Sequence, residues 1–186
     1  MAVCTAHGFE LYLAGSTVLR GWALALQGHV VEGTAQILQG LAAWRVTGAE
    51  QSRPYFLALL AEVHGHAGQY EQGLTVLTEA FTQIEATDER FYEAELYRLQ
   101  GDLLLSQSSD YSVEAEACFQ QALTIARRQQ AKPWELRVAM SLARLWQCQD
   151  KRSDAYKLLV PIYSWFTEGF DTADLQEARR LLETLA

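Results

Sequence analysis

The sequence contains no asparagine, and only 3 prolines and 3 cysteines occur in its 186 residues. It has no Asn-Gly or Asp-Gly pair and no alternating run of β-branched residues, so β-hairpins are not expected. The low proline content, together with 49% hydrophobic residues, excludes a disordered linker or tail. Cys4, Cys118 and Cys148 are far apart and odd in number, which predicts neither a disulfide framework nor a zinc site. Free thiols favour a reducing, cytoplasmic location.

Basic residues are also scarce, since 15 Lys and Arg face 23 Asp and Glu, giving a net charge of -8. Phosphate binding needs a basic surface, so nucleic acid is not an expected partner. An anionic membrane surface is disfavoured for the same reason. The N-terminus lacks the basic start of a signal peptide, and the apolar run over residues 11–19 is too short to cross a bilayer. The sequence therefore predicts a soluble protein.

Helical periodicity runs through almost the whole chain and repeats itself. A small residue recurs in the first helix of each unit, at Gly21, Ala61, Gly101 and Ala143, with offsets of 40, 40 and 42. The second helix of each unit has a small residue, an apolar one and then another small or apolar one; Ala115, Phe119 and Ala122 are the clearest case. Small residues let two helices approach closely while a large one fills the gap. This is the tetratricopeptide (TPR) pattern.

The pattern predicts an all-α fold, a right-handed α-solenoid of about four TPR-like helix pairs with a C-terminal capping helix. We expect a single repeat domain over residues 1–186. The predicted repeats are about 7–47, 53–86, 89–130 and 133–168, with the capping helix at about 172–185. Ser52 and Pro54 suit the start of the second pair, Pro161 should kink its helix, and Asp171 is the expected N-cap after a stop at Gly169.

Four longer phrases carry a family resemblance: RPYFLALLAEVHGHAGQYEQGL, ERFYEAELYRLQGDLLL, EAEACFQQALTIARRQQAKPWELRVAMSLARLW and YSWFTEGFDTADLQEARRLLE. They resemble the C-terminal TPR region of large bacterial AAA/STAND-type ATPases, in which a class III adenylate or guanylate cyclase domain often lies at the front. The resemblance covers nearly the whole chain. It implies a regulatory or interaction arm of a larger signalling protein.

The catalytic motifs of that family are not found in this sequence. The segment from Gly28 to Thr34 is the nearest match to a phosphate loop, but it has no lysine and lies at a helix–helix turn. No nucleophile–base arrangement is suggested by local spacing. We expect neither an enzyme nor a cofactor. The absence of asparagine also argues against the Lys/Asn carboxylate clamp of chaperone-binding TPR domains.

Protein or peptide partners of TPR domains usually lie in the groove formed by the first helices of the repeats. Counting from the small residue of each unit gives the candidate groove residues Trp22, Tyr55, Glu62, His66, Arg98, Asp102, Arg137 and Arg144. Arg137 and Arg144 lie seven apart and share a helix face, so they could bind a carboxylate or a phosphorylated segment. The plainer interpretation, which we favour, is that they pair with Glu95 and Asp102. No metal site is expected, because His64 and His66 are two apart and point in different directions.

The first helix suggests a second function. Its apolar residues surround it on nearly every side, and a helix of this kind is normally buried. Either an upstream repeat or another copy of the chain should cover it. The alternative function is therefore a homo-oligomerisation module without a separate ligand, with Phe9, Tyr12, Trp22 and Leu26 as the candidate contact residues. A small-molecule sensor is a third hypothesis, disfavoured because four repeats form a shallow, open arc.

Overall fold

The computed structural model describes residues 9–186, and within these residues it contains nine α-helices and no strand. The protein forms two compact units, residues 9–92 and 93–186. Cys4 and the first two residues of the predicted first repeat, 7 and 8, lie outside the described residues. The prediction of one continuous domain over residues 1–186 stays a prediction.

The first unit consists of two helix pairs, each joined by a short turn. Its helices are α1 (Glu10–Leu26), α2 (Val30–Val46), α3 (Arg53–His66) and α4 (Tyr70–Thr87). The residues predicted to fill each pair are buried: Ile37 in α2 and Leu77 in α4 are at most 1% exposed. Both side chains fill the space between the two helices of their pair, as the spacing of small and large residues predicted.

Glycines allow the backbones of α1 and α2 to touch. A Cβ at Gly33 would lie 2.5 Å from the Gly21 carbonyl oxygen, and one at Gly21 would lie 2.6 Å from the Gly33 carbonyl oxygen. A Cβ at Gly40 would lie 2.8 Å from the Val18 nitrogen. No side chain fits at these distances without moving backbone, which confirms the close approach predicted from the repeat.

The second unit contains two further pairs and the capping helix. Its elements are α5 (Glu93–Gln107), a 3₁₀ turn (Ser109–Tyr111), α6 (Ser112–Arg128), α7 (Lys132–Cys148), α8 (Arg152–Tyr163) and α9 (Ala173–Leu185). Phe119 is fully buried, and its ring lies against Gly101, where a Cβ would come within 2.5 Å of it. The predicted capping helix is α9, which joins the same core through Leu175, Ala178 and Leu181.

Helix α5 begins at Glu93, four residues later than predicted. Asp88 ends α4 in the left-handed region with φ 57. The Glu89 carboxylate then accepts hydrogen bonds from the Ser52 backbone N–H at 2.8 and 3.0 Å, and Tyr92 packs edge to face against Tyr55 with ring centroids 4.9 Å apart. Residues 89–92 thus bind to the start of α3, and they do not extend α5.

Helix α8 ends at Tyr163, although the sequence predicted helix to residue 168. Pro161 lies inside the helix and has no N–H for the carbonyl four residues earlier, so one helical bond is missing near the C-terminus. Gly169 therefore lies in the connection, with φ 75. The predicted N-cap was wrong: Thr172 occupies that position without a side-chain cap, and its hydroxyl donates to the Gly169 carbonyl oxygen at 2.7 Å.

The turns also follow the repeat. One residue with positive φ lies just after each of the first helices α1, α3 and α7, and one lies just after each of the second helices α2, α4 and α6. The first two repeats mostly use glycine there, whereas the later turns use other residues. These positions are Gly28, Gly68 and Asp150 after the first helices, and Gly48, Asp88 and Gln130 after the second ones.

Candidate functional site

Two of the predicted groove residues of the second unit, Asp102 and Arg144, line one cavity of about 650 Å³ together with the residues four further along each helix. Asp102 and Ser106 come from α5, and Arg144 and Cys148 come from α7. The spacing of four residues on each helix places both members of a pair on one face. The remaining lining residues are Leu105, Ser109, Ser112, Ser141, Leu145 and Gln149.

The cavity combines apolar walls with hydrogen-bonding groups. Leu105 and Leu145 supply the apolar contacts, and serines come from α5, the 3₁₀ turn, α6 and α7. Its volume falls within the range of about 300–1,000 Å³ that is typical of ligand pockets. Serine hydroxyls both donate and accept, so they suit peptide backbone groups.

A buried ion network lies beside the cavity. Glu95 is 2% exposed and receives Arg98 Nε on one carboxylate oxygen at 2.8 Å and Arg98 Nη2 on the other at 2.7 Å. Arg137 Nη1 reaches Glu95 Oε1 at 2.7 Å. A buried carboxylate needs such partners, because leaving water is costly for a charge. The predicted pairing of Arg137 with Glu95 is confirmed, and both arginines hold a buried charge.

Asp102 has an unusual environment at the cavity wall. Its side chain is 38% exposed and forms an ion pair with Arg98. Desolvation raises the pKa of Asp102, and the positive charges of Arg98 and Arg144 and a hydrogen bond with Ser141 oppose this rise. The carboxylate is an acceptor that a ligand in the cavity can reach.

Arg144 has a different partner from the one predicted. Its Nη2 lies 2.5 Å from the Glu177 carboxylate on α9, and both side chains are substantially exposed, at 42% and 51%. The expected direct pair of Arg144 with Asp102 is not formed, although the two groups interact electrostatically. Helix α9 also brings Asp174 within 3.7 Å of Arg137. A carboxylate row on the capping helix thus faces the arginine row of α7.

The candidate groove residues of the first unit form a smaller polar cluster. The Trp22 indole nitrogen donates to a Glu62 carboxylate oxygen at 2.7 Å. The Tyr55 ring contacts the tilted ring of Phe56 and meets Tyr92 edge to face. Burial, and to a lesser extent the nearby Glu62 charge, raises the pKa of the Tyr55 hydroxyl. Three of the four candidates are therefore brought together by the fold.

His64 and His66 lie near the end of α3, and neither lines the cavity. His66 is exposed, and His64 Nδ1 lies 2.7 Å from the Gln69 side-chain oxygen. Within residues 9–186, no group of three or more His, Cys, Asp or Glu is arranged to hold a metal ion. None of the helices in this part of the sequence is long and apolar enough to cross a membrane.

Sequence reasoning missed two sets of site residues. The serines of the 3₁₀ turn and of α6 were not considered, because only first helices were counted as groove-lining. Asp174 and Glu177 were assigned to a cap and not to the site. Their spacing of three, which puts both carboxylates on one side of α9, was the signal that pointed to them.

No family model matches the protein. An uncharacterised protein of Rhizobium meliloti (strain 1021) is 30% identical over 139 residues, or 75% of this chain, but these residues make up only 13% of that relative.

Solved structures show the fold. A kinesin light chain-like protein of Podospora anserina with nearly identical TPR-like repeats superposes with a TM-score of 0.67 at 18% identity, covering 91% of this chain and 83% of the other. A single-substitution variant of that protein gives a TM-score of 0.65 at 18% identity, with 91% of both proteins covered. The protein therefore has the all-α, TPR-like solenoid fold.

Proposed function

We propose that this protein is a peptide-binding TPR scaffold that serves as the regulatory or interaction arm of a larger cytoplasmic ATPase- or cyclase-type signalling protein. The cavity between α5 and α7 is the observation that carries this proposal. TPR-like repeats are generally protein-interaction scaffolds, and here the groove positions of two neighbouring first helices border a concave site.

The composition of the cavity favours a peptide over a reacting substrate. Its polar groups are serine hydroxyls, an acceptor carboxylate, a guanidinium, a thiol and the Gln149 amide, and its apolar walls are two leucines. Such groups satisfy backbone N–H and C=O groups together with one or two side chains. The Asp102 carboxylate hydrogen-bonds the Ser141 hydroxyl and forms an ion pair with Arg98.

Cys148 provides a direct test, because its exposed thiol lines the cavity. Peptides that bind the protein are first selected from a displayed library of random dodecapeptides. A bound peptide should slow the alkylation of Cys148 by iodoacetamide, and mass spectrometry measures the alkylation of each cysteine. Cys118 serves as the internal reference, since burial and then the Glu114 charge raise the pKa of its thiol. A thiol with a raised pKa reacts slowly.

Two tryptophan variants locate the site independently. Ser106→Trp fills the cavity mouth and should abolish binding of the selected peptides. Ser153→Trp, at an exposed position of α8 that does not line the cavity, should leave binding unchanged. Peptides that bind both variants equally, with no protection of Cys148, would remove the support for a receptor site here.

Two observations support a role within a larger protein. The sequence resembles the TPR region of AAA/STAND-type ATPases, and the matched residues make up only 13% of the Rhizobium meliloti relative. An antibody against this protein should detect a polypeptide far larger than 20.9 kDa in cells of the source organism. A band at 20.9 kDa would contradict the proposal for the parent protein while leaving peptide binding open.

Self-association is the second candidate, and the exposed apolar residues of the first helix pair favour it. Tyr12, Leu19 and Leu26 recur every seven residues along α1, and all three are exposed. Phe9 packs edge-on against Tyr12, whereas Trp22 is hydrogen-bonded to Glu62. Exposed apolar groups in such number commonly mark an interface. The exposed apolar residues on α2 are Val31, Leu38 and Val46.

Light scattering distinguishes this candidate. Self-association predicts a molar mass near twice 20.9 kDa, and the variant Tyr12→Glu, Leu26→Glu should return to 20.9 kDa. Val113→Glu, which charges an exposed apolar residue of α6, is the matched control and should keep the larger mass. A wild-type mass of 20.9 kDa at high concentration would exclude a stable dimer.

A further inference from the structure

We infer that the partner of the cavity presents a carboxylate to Arg144, and that Glu177 of the capping helix occupies this position when no partner is bound. This inference rests on the proposed function and specifies the chemistry of its ligand. The observation behind it is the ion pair that Arg144, a cavity-lining residue, forms with Glu177 at 2.5 Å.

Arg144 is the cation at this site that a ligand can use. Arg98 and Arg137 hold the carboxylate of Glu95, which is 2% exposed, so a ligand that took either one would strand a buried charge. Among the cavity-lining residues that the structure describes, Arg144 supplies the guanidinium. A guanidinium binds carboxylates through two parallel N–H donors, which gives both strength and direction.

Glu177 is a replaceable partner. Its side chain and that of Arg144 are 51% and 42% exposed, and exposed ion pairs contribute little to stability. Helix α9 itself is held by buried apolar residues, with Leu175 4% exposed and Ala178 fully buried. The carboxylate can therefore leave Arg144 without undocking α9.

The other cavity groups define the rest of the ligand. Asp102 accepts hydrogen bonds, so it suits a backbone N–H and disfavours a second acidic group nearby. The serine hydroxyls and the two leucines suit an extended peptide with small or apolar neighbours. The ligand class is a peptide segment with one carboxylate, supplied by an acidic side chain or by the C-terminal residue of the partner.

Competition with Glu177 has a measurable consequence. A ligand that must displace Glu177 from Arg144 binds only the molecules in which this ion pair is open. Its apparent affinity is therefore the intrinsic affinity multiplied by the fraction of molecules with an open pair. For an exposed pair, removing the competitor should tighten binding by about two- to fivefold. Removing the guanidinium should weaken binding by at least about tenfold, as expected for a charge-assisted bidentate contact.

The test uses fluorescein-labelled octapeptides of Leu, Ser and Gly with one central Glu and an amidated C-terminus. A second probe has Gln for Glu and a free C-terminus, and a third has Lys for Glu. Fluorescence anisotropy is measured on the full-length protein as wild type, Arg144→Gln and Glu177→Gln. The matched control is Glu183→Gln, which removes the same charge from the same helix at its exposed pair with Arg179.

We expect Glu177→Gln to tighten binding of a carboxylate probe, Arg144→Gln to weaken it, and Glu183→Gln to leave it unchanged. The Glu and free C-terminus probes show which carboxylate the site takes. Equal affinity of wild type and Arg144→Gln, or weaker binding by Glu177→Gln, would overturn the inference. Preference for the Lys probe, with protection of Cys148, would overturn it and leave the proposed function intact. If no probe or selected peptide binds or protects Cys148, both fail.

Discussion

At the scale of single residues, the structure divides the arginines that the sequence treated alike. Arg137 and Arg144 are seven apart on one helix, but one neutralises a buried carboxylate and the other pairs at the surface. Sequence spacing shows which residues share a helix face, but it does not show whether the carboxylate opposite each of them is buried or exposed. Charge reversal at Arg137 would therefore disturb the fold as well as the site, so we expect variants of Arg144 to test the proposed binding without disturbing the fold.

Glu135 is a residue whose role the sequence did not indicate. It is 4% exposed, and its carboxylate binds Lys132 Nζ at 2.6 Å and Arg127 Nε at 3.0 Å, which joins the end of α6 to the start of α7. Burial alone raises the pKa of Glu135, but the hydrogen bonds from Lys132 and Arg127 outweigh it, so the pKa is lowered.

This pKa shift predicts a pH-dependent contribution to stability. Because the folded pKa lies below the unfolded value of 4.5, the stabilisation is complete above that value and is lost as pH falls toward the folded pKa. In urea titrations, wild type should exceed Glu135→Gln in free energy of unfolding at pH 7, by about 1–3 kcal/mol for hydrogen bonds to a buried charge. The difference should shrink below pH 4.5. A difference that does not change with pH would show that packing alone is responsible.

At the scale of helices and turns, repeat spacing was a reliable guide to the interiors of the elements. The helix pairs lie where the offsets of 40, 40 and 42 placed them, because the same small-and-large contact recurs in each pair. Two ends were wrong for reasons that periodicity does not contain. Residues 89–92 bind to the start of another helix, and Pro161 weakens the end of α8.

The cavity also combines residues that the repeat predicted with residues that it did not. Asp102 of α5 and Arg144 of α7 were predictable, since they repeat the groove positions of a TPR helix, whereas Leu105, Ser141 and Leu145 lie outside those positions. Ser109 and Ser112 were not, because they enter through the extra residues between α5 and α6, outside the repeat. The pairing with Glu177 depends on how α9 docks, and local pattern does not determine that docking.

The turns give a prediction at this scale. Gln130 has φ 54, and Gly48 occupies the matching turn of the first repeat. A residue with a Cβ in the left-handed region is strained by roughly 1–2 kcal/mol. Glycine removes this strain, but part of the gain is lost because glycine raises the conformational entropy of the unfolded state. Gln130→Gly should therefore stabilise the protein by about 0.5–1 kcal/mol in urea titration. Gln130→Ala keeps the Cβ and should give no gain, while Gly68→Ala should destabilise. Loss of stability in Gln130→Gly would mean that its side chain contributes more than the strain costs.

At the scale of the whole molecule, charge and apolar surface oppose each other. Each copy carries a net charge of -8, which disfavours pairing, while the exposed residues of α1 and α2 favour it. Raising the ionic strength from about 0.01 M to about 0.1 M shortens the screening length from about 30 Å to about 10 Å. If the protein self-associates through this surface, its dissociation constant should fall as salt rises.

Sedimentation equilibrium across that range measures the effect. An interface built from ion pairs would weaken with salt, which is the opposite result. The variant Tyr12→Glu, Leu26→Glu should remain monomeric at every ionic strength. A salt-strengthened mass that persists in this variant would place the interface elsewhere on the molecule.

The contact between α1 and α2 also has a genetic consequence. Every replacement of glycine adds at least one carbon, and at Gly21 and Gly33 that carbon meets the backbone of the facing helix. No conservative missense change exists at these codons, whereas Ala61 and Ala143 already carry the extra carbon at the equivalent repeat position. Among variants of this protein, codons 21, 33 and 40 should be depleted of missense changes, independent of any ligand.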